Sequence, residues 1–140
     1  ALASLVYKET GGKQDEMETV AGLYLNRYRK GMKLQSDPTV IYAVSKANNF
    51  QGDPLRRVFF KHLREPSPYN TYFSAGIPPG PICVVDKNSV DAVLNAQKSD
   101  YIYMCADPKR FGFHKFTASA AEHAVNAKEY QQWLNSKNIK

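Results

Sequence analysis

The sequence lacks any apolar run approaching the roughly 20 residues that a membrane-spanning helix needs. It also lacks the basic, then apolar, opening of a signal peptide. Cysteine and histidine are scarce, at two and three residues, and their spacing makes neither a metal-ligand pattern nor a disulfide framework. Cys83 and Cys105 each sit in an apolar setting, so free buried thiols are expected. A single bridge between them stays open, because sequence carries no distance. Acidic residues are outnumbered, 13 against 19 Lys and Arg, for a formal net charge of +6. The basic residues are spread out, as in Arg27, Arg29, Lys30 and Lys33, then Arg56, Arg57, Lys61 and Arg64, and no nucleic-acid motif accompanies them. Their bland reading is a solvated basic surface; the sharper one is attraction to an anionic polymer. No repeat, low-complexity stretch or linker interrupts the 140 residues, so one domain spanning 1–140 is expected. The chain opens inside an apolar-periodic segment at Ala1-Leu2-Ala3-Ser4-Leu5, which reads as a fragment cut from something longer.

What is present reads as a helix-rich α+β domain with a small antiparallel hairpin. Leu2, Leu5, Val6 and Glu9 share one helical stripe over 2–10, closed by Gly11-Gly12. A second helix is expected from Asp15 to Lys30, with Asp15 as N-cap, Glu18 completing a capping box, and Met17, Val20, Ala21, Tyr24 and Tyr28 facing inward. Asp37-Pro38 starts a third, with Asp37 capping and Val40, Ile41 and Val44 facing the core. Residues 45–54 read as a polar loop, and 55–63 as either a short helix or a strand. The stretch from Pro66 to Pro81 holds five prolines and two glycines and reads as a long shaped loop. A helix over 88–96, strands over 100–106 and 113–116 joined by a turn at 107–110, and a helix over 119–136 capped by Ser119 and Glu122 complete the expectation.

Glu9 is the informative residue. A helix that buries Leu2, Leu5 and Val6 turns Glu9 inward as well. A buried carboxyl without a partner raises its pKa and becomes a proton donor near neutral pH. Cleavage of a glycosidic bond needs such a group, to protonate the oxygen that leaves. Against this, a glutamate at a helix end is commonly just a solvated charge.

Longer segments carry more. Leu2-Ala3-Ser4-Leu5-Val6-Tyr7-Lys8-Glu9-Thr10 and Asn26-Arg27-Tyr28-Arg29-Lys30-Gly31-Met32-Lys33-Leu34-Gln35-Ser36-Asp37-Pro38-Thr39-Val40-Ile41-Tyr42 resemble motifs of the MltG/YceG-like endolytic murein transglycosylases. So do Ser67-Pro68-Tyr69-Asn70-Thr71-Tyr72, Gly76-Ile77-Pro78-Pro79-Gly80-Pro81-Ile82, Asp100-Tyr101-Ile102-Tyr103, His114-Lys115-Phe116 and Glu122-His123. The matches keep the family's order and cover nearly the whole chain. The resemblance implies a lyase that cuts the MurNAc–GlcNAc bond within nascent peptidoglycan strands and leaves 1,6-anhydro-MurNAc ends. It also implies a lysozyme-like core, the Glu9-Thr10 pair being similar to the Glu-Ser pair of lysozyme-like transglycosylases. Family members sit at the bacterial inner membrane, facing the periplasm, behind an N-terminal helix and a LysM-like region. Both would lie outside this chain, leaving a soluble fragment. One departure is Tyr7, where many members have glutamate; it leaves Glu9 as the motif's only acid.

In the implied reaction Glu9 is the single catalytic carboxylate, and the substrate's C6 hydroxyl replaces the second carboxylate that ordinary glycosidases use. Gln35, Thr39, Tyr42, Tyr69, Asn70 and Tyr72 are expected to bind sugar, through ring faces and amide hydrogen bonds. Thr10, Glu16 and Asp37 are expected to support. Gln35 reads equally as a loop hydrogen bond, Asp37 as an N-cap, and Tyr69-Asn70-Tyr72 as a structural turn. No cofactor or metal is expected. Peptidoglycan strands are the expected partner, with strand-synthesising proteins beside them, no nucleic acid, and membrane contact only through the absent anchor. Three readings compete: a non-catalytic peptidoglycan-binding module, a water-using muramidase with Glu16 or Asp37 as second carboxylate, and a nucleic-acid binder.

Overall fold

A computed structural model describes residues 1–137. Helix α1 spans Leu2–Thr10 and closes at Gly11, whose φ of 63° is a left-handed conformation that glycine adopts without a Cβ clash. A 3-10 turn, Gln14–Glu16, leads into α2, Met17–Arg29. Helix α3 is Asp37–Ala47, α4 is the single turn Phe60–Leu63, and α5 is Lys87–Leu94. Strands β1, Tyr103–Ala106, and β2, His114–Thr117, form an antiparallel pair with Tyr103 opposite Thr117 and Ala106 opposite His114. Helix α6, Ala120–Ser136, packs across that pair. The helix-rich α+β architecture is the expected one.

The core lies where α1, α2 and α5 meet. Leu5, Val6, Val20, Ala21, Leu23 and Tyr24 are all sealed from solvent there, with Leu34 and Ile82 closing the edges. Gly22 on α2 abuts the backbone carbonyl of Gln97, and any Cβ there would collide with it. The Gln97 N–H donates to the Glu18 carbonyl at 3.0 Å, tying the segment after α5 to the start of α2.

Several local expectations change. Asp15 does not cap α2; it lies inside the 3-10 turn, the cap position falls on Glu16, and neither side chain closes a capping box. Asp37 is the first residue of α3 and Ser36 is its cap position; the Ser36 hydroxyl is turned away to Glu9. Tyr28 is 52% exposed and stands outside the core, one turn beyond Tyr24, the last buried hydrophobic residue of α2. Within segment 55–63 only Phe60–Leu63 is helical, β1 is shorter than the expected 100–106, and β2 keeps its expected four residues one position later. The Ser119 cap does form, accepting from the Glu122 N–H at 3.2 Å, while the Glu122 carboxylate takes the Thr117 hydroxyl. Cys83 and Cys105 are free and half-buried.

Candidate active site

The stripe that buries Leu2, Leu5 and Val6 carries Glu9 to the inner end of α1, half-buried at the wall of a cleft of about 500 Å³. Its Oε1 accepts two hydrogen bonds, from the Tyr24 hydroxyl at 2.7 Å and the Ser36 hydroxyl at 3.0 Å. Oε2 has no hydrogen-bond partner among the described residues. Burial raises the pKa of Glu9, and the negative charge of Asp37 adds to the rise. The Tyr24 hydroxyl, the charge of His114 and the Ser36 hydroxyl oppose it without cancelling it. With Oε1 saturated as an acceptor, the proton of the acid form belongs on Oε2.

Gln35, Asp37 and Tyr72 line the same cleft. Gln35 has φ 51°, a left-handed backbone that a non-glycine residue holds only when its surroundings enforce it. Its N–H donates to the Thr71 carbonyl, its Oε1 accepts from Arg27, and Leu34 before it and Ser36 after it are both buried. That kink presents Ser36 to Glu9. Asp37 accepts from the Tyr72 hydroxyl at 2.6 Å. Solvent reaches Asp37 from the cleft, yet protein crowds its other sides and raises its pKa, with the Tyr72 bond opposing. Burial and the charge of Asp37 push the Tyr72 hydroxyl far up, so it stays a donor.

Glu16 grips the start of β2 with both oxygens, one on the His114 backbone N–H at 3.1 Å and one on its Nδ1 at 2.9 Å. His114 lines the cleft, so Glu16 bears on Glu9 through that ring. Thr10 is buried and donates back to the Val6 carbonyl at 2.8 Å, securing the last turn of α1.

Four residues expected to bind sugar are not among those lining this cleft. Thr39 is sealed and bonds to the Ser36 carbonyl and the Thr71 hydroxyl. Asn70 is fully buried; its amide donates to the carbonyls of Leu63 and Glu65 and its carbonyl accepts from the Tyr72 N–H at 2.9 Å. Tyr42 and Tyr69 pack together at 5.0 Å between ring centroids, with the Lys46 ammonium 4.6 Å over the Tyr69 ring. These contacts build the loop that delivers Tyr72. The sequence reading missed Tyr24, Ser36 and Arg27. Tyr24 carried a signal: a tyrosine on a buried stripe needs a partner for its hydroxyl. Ser36 and Arg27 carried none.

Fold and site together define an α+β domain with one partnered, protonation-prone glutamate at the wall of a polar cleft. The profile of the YceG-like family matches residues 1–129, and the chain belongs to that family. It is 39% identical over 139 residues to a Bacillus subtilis protein named endolytic murein transglycosylase, covering 99% of this chain and 35% of the relative. A Streptococcus pneumoniae protein of the same name is 32% identical over 136 residues, covering 97% of this chain and 23% of its own length. This chain therefore spans about a third or less of those relatives. The crystal structure of a YceG-like protein from Listeria monocytogenes superposes with a TM-score of 0.76 at 34% identity, over 89% of this chain and 38% of that one.

Proposed function

We propose that this domain is the catalytic part of an endolytic murein transglycosylase, a lyase that cuts the MurNAc–GlcNAc bond of nascent peptidoglycan and leaves 1,6-anhydro-MurNAc ends. The observation that carries the reading is the asymmetry of Glu9: one oxygen held by two hydroxyls, the other unpartnered among the described residues and beside a cleft. Burial favours the protonated acid before the reaction. Glu9 gives its proton from Oε2 to the leaving GlcNAc oxygen. The new carboxylate is then stabilised by the Tyr24 and Ser36 hydrogen bonds, which favour the charged form. It takes the proton of the C6 hydroxyl as that oxygen closes on the anomeric carbon. One carboxyl serves both steps, so no water and no cofactor enter.

Within this reading Gln35 and Tyr72 contact the sugars, Asp37 and Glu16 tune the site through Tyr72 and His114, and Thr39, Tyr42, Tyr69 and Asn70 shape the wall behind them. The cleft beside the end of α1 is the counterpart of a lysozyme-like core. The full-length protein would work at the periplasmic face of the inner membrane, beside strand-synthesising proteins, held by a segment outside this chain. Among the described residues no helix is long and apolar enough to cross a membrane.

Product analysis tests the proposal. Uncrosslinked strands are digested with the intact protein and their ends identified by mass spectrometry. Anhydro ends are expected, and Glu9→Gln abolishes them. Reducing ends would overturn the reading in favour of a water-using muramidase, and intact strands in favour of a binding module.

A further inference from the structure

Glu16 holds His114 more firmly than the fold requires. Glu16 lies in the 3-10 turn before α2, and His114 opens β2. Glu16 Oε2 accepts from the His114 backbone N–H at 3.1 Å, and that bond alone ties strand to turn. Oε1 adds a contact to the ring, at Nδ1, at 2.9 Å. An ionised carboxylate only accepts, so Nδ1 carries a proton. In the neutral imidazole Nε2 is then a bare acceptor. It has no hydrogen-bond partner among the described residues. Nor is it a sealed orphan: among the described residues the nitrogen both sealed and unpartnered is Nδ1 of His123.

Glu16 lines a small cavity with Gly112 and Phe113, whereas His114 lines the Glu9 cleft. The His114 side chain keeps 10% of its surface open. Phe116 braces the ring, with centroids 6.1 Å apart. The ring also lies within electrostatic reach of Glu9. A fixed lone pair and the proton-bearing Oε2 of Glu9 therefore border one cleft. A bare acceptor repels carboxylates and takes donors, and a glycan strand offers two kinds, hydroxyls and acetamide N–H groups. A hydroxyl is the better match, because its O–H swivels toward a fixed lone pair while an amide N–H is held in its plane. We infer that His114 touches the substrate, its Nε2 accepting a hydrogen bond from a sugar hydroxyl of the bound strand, with Glu16 as the positioning residue that keeps the ring proton on Nδ1. The inference rests on the preceding reading for the strand as substrate. It adds a contact that the acid step does not need, and it leaves the proton transfers with Glu9.

Nitrogen NMR of the intact protein with labelled histidine reads the tautomer directly, at a pH where the ring is neutral. Strand-free protein is expected to show a protonated Nδ1 and a bare Nε2. Adding uncrosslinked strands to the Glu9→Gln protein should shift the Nε2 resonance and leave Nδ1 in place. Glu16→Ala, checked for folding by its thermal transition, should spread the proton over both nitrogens. Two substitutions then split the ring. His114→Asn sets an amide N–H near the place of Nδ1 and nothing at Nε2. His114→Gln sets an amide oxygen near the place of Nε2 and leaves Glu16 unmatched. In the Glu9→Gln background the Asn variant should keep its thermal transition and bind strands about fivefold more weakly, the scale of one neutral hydrogen bond. The Gln variant should unfold earlier and bind within about twofold of the parent. A protonated Nε2 in the strand-free protein overturns the inference, as does an Nε2 resonance that strands leave unmoved. Binding losses that follow stability, largest for Gln, overturn it as well, and an unchanged tautomer in Glu16→Ala removes the role of Glu16. Binding that depends on Nε2 without anhydro products upholds the contact and sinks the lyase. Anhydro products with binding indifferent to His114→Asn do the reverse.

Discussion

Glu9 and Asn70 are both polar groups that the chain carries out of bulk water, and they end in opposite states. Asn70 is sealed, with its amide donors on two carbonyls and its own carbonyl on a backbone N–H, so nothing is left for a ligand. Glu9 is half-buried, with one oxygen saturated and the other unpartnered among the described residues. The first arrangement is how a fold stabilises a loop; the second is how it holds a group ready to react. Complete hydrogen bonding costs a side chain its chemistry, and partial hydrogen bonding costs the fold some stability. Tyr72 shows the two regions cooperating: Asn70 sets its backbone, and its hydroxyl reaches Asp37 in the cleft.

The largest expected effect tests the reactive side of that comparison. Glu9→Gln keeps the shape and removes the proton, and strand cleavage should fall by about 10³-fold or more, the scale of general acid–base catalysis. Quantifying anhydro ends over time measures it, and a variant retaining a tenth of the parent rate would move the acid elsewhere. The structural side is broken next. Asn70→Ala strips a buried loop of its bonds and should cost about 2–4 kcal/mol in urea unfolding, because the carbonyls of Leu63 and Glu65 lose their donor. Unchanged stability with lost strand binding would make Asn70 a ligand group instead.

Tyr24→Phe is intermediate. It removes a donor that lowers the Glu9 pKa, so that pKa should rise further and the alkaline limb of the pH–rate profile should move to higher pH. The rate at the optimum should fall by about tenfold, since the carboxylate formed after proton transfer loses a hydrogen bond. Tyr69→Phe, on the structural side, should leave the profile in place. The smallest effect concerns stability. Glu9 has a raised pKa in the folded state, so folding is favoured while it is protonated in both states and loses that support as pH climbs from its unfolded pKa through its folded one. Glu9→Gln should therefore unfold a few degrees higher than the parent at neutral pH. The gap should close in acid, below the ordinary glutamate range. Thermal unfolding at a series of pH values reads it, and a gap that widened in acid would reverse the assigned direction.

Much of this was legible in the chain itself. The apolar stripe Leu2, Leu5, Val6 and Glu9 gives α1 and the inward acid, because a 3.6-residue period fixes which side chains share a face. The Ser119 cap and the Pro38 start follow from local backbone chemistry within a few residues. The 3-10 turn displaced the Asp15 cap, since it inserts a tighter turn that no local periodicity signals. The roles within Tyr69, Asn70 and Tyr72 were not legible either. Three polar residues in one loop look alike in sequence, and which of them faces a cleft depends on where the carbonyls of Leu63 and Glu65 fall in space.

Sequence by itself determined that a carboxyl would leave water on the inner face of the first helix, because helical spacing is a local rule that needs no partner. Tertiary structure decided everything that gives the carboxyl its state. Tyr24 lies 15 residues away, Ser36 lies 27 away, and the ring of His114 comes from the far strand. Hydrogen bonds and electric fields act through distance in space, and only the packed chain brings those groups to one place.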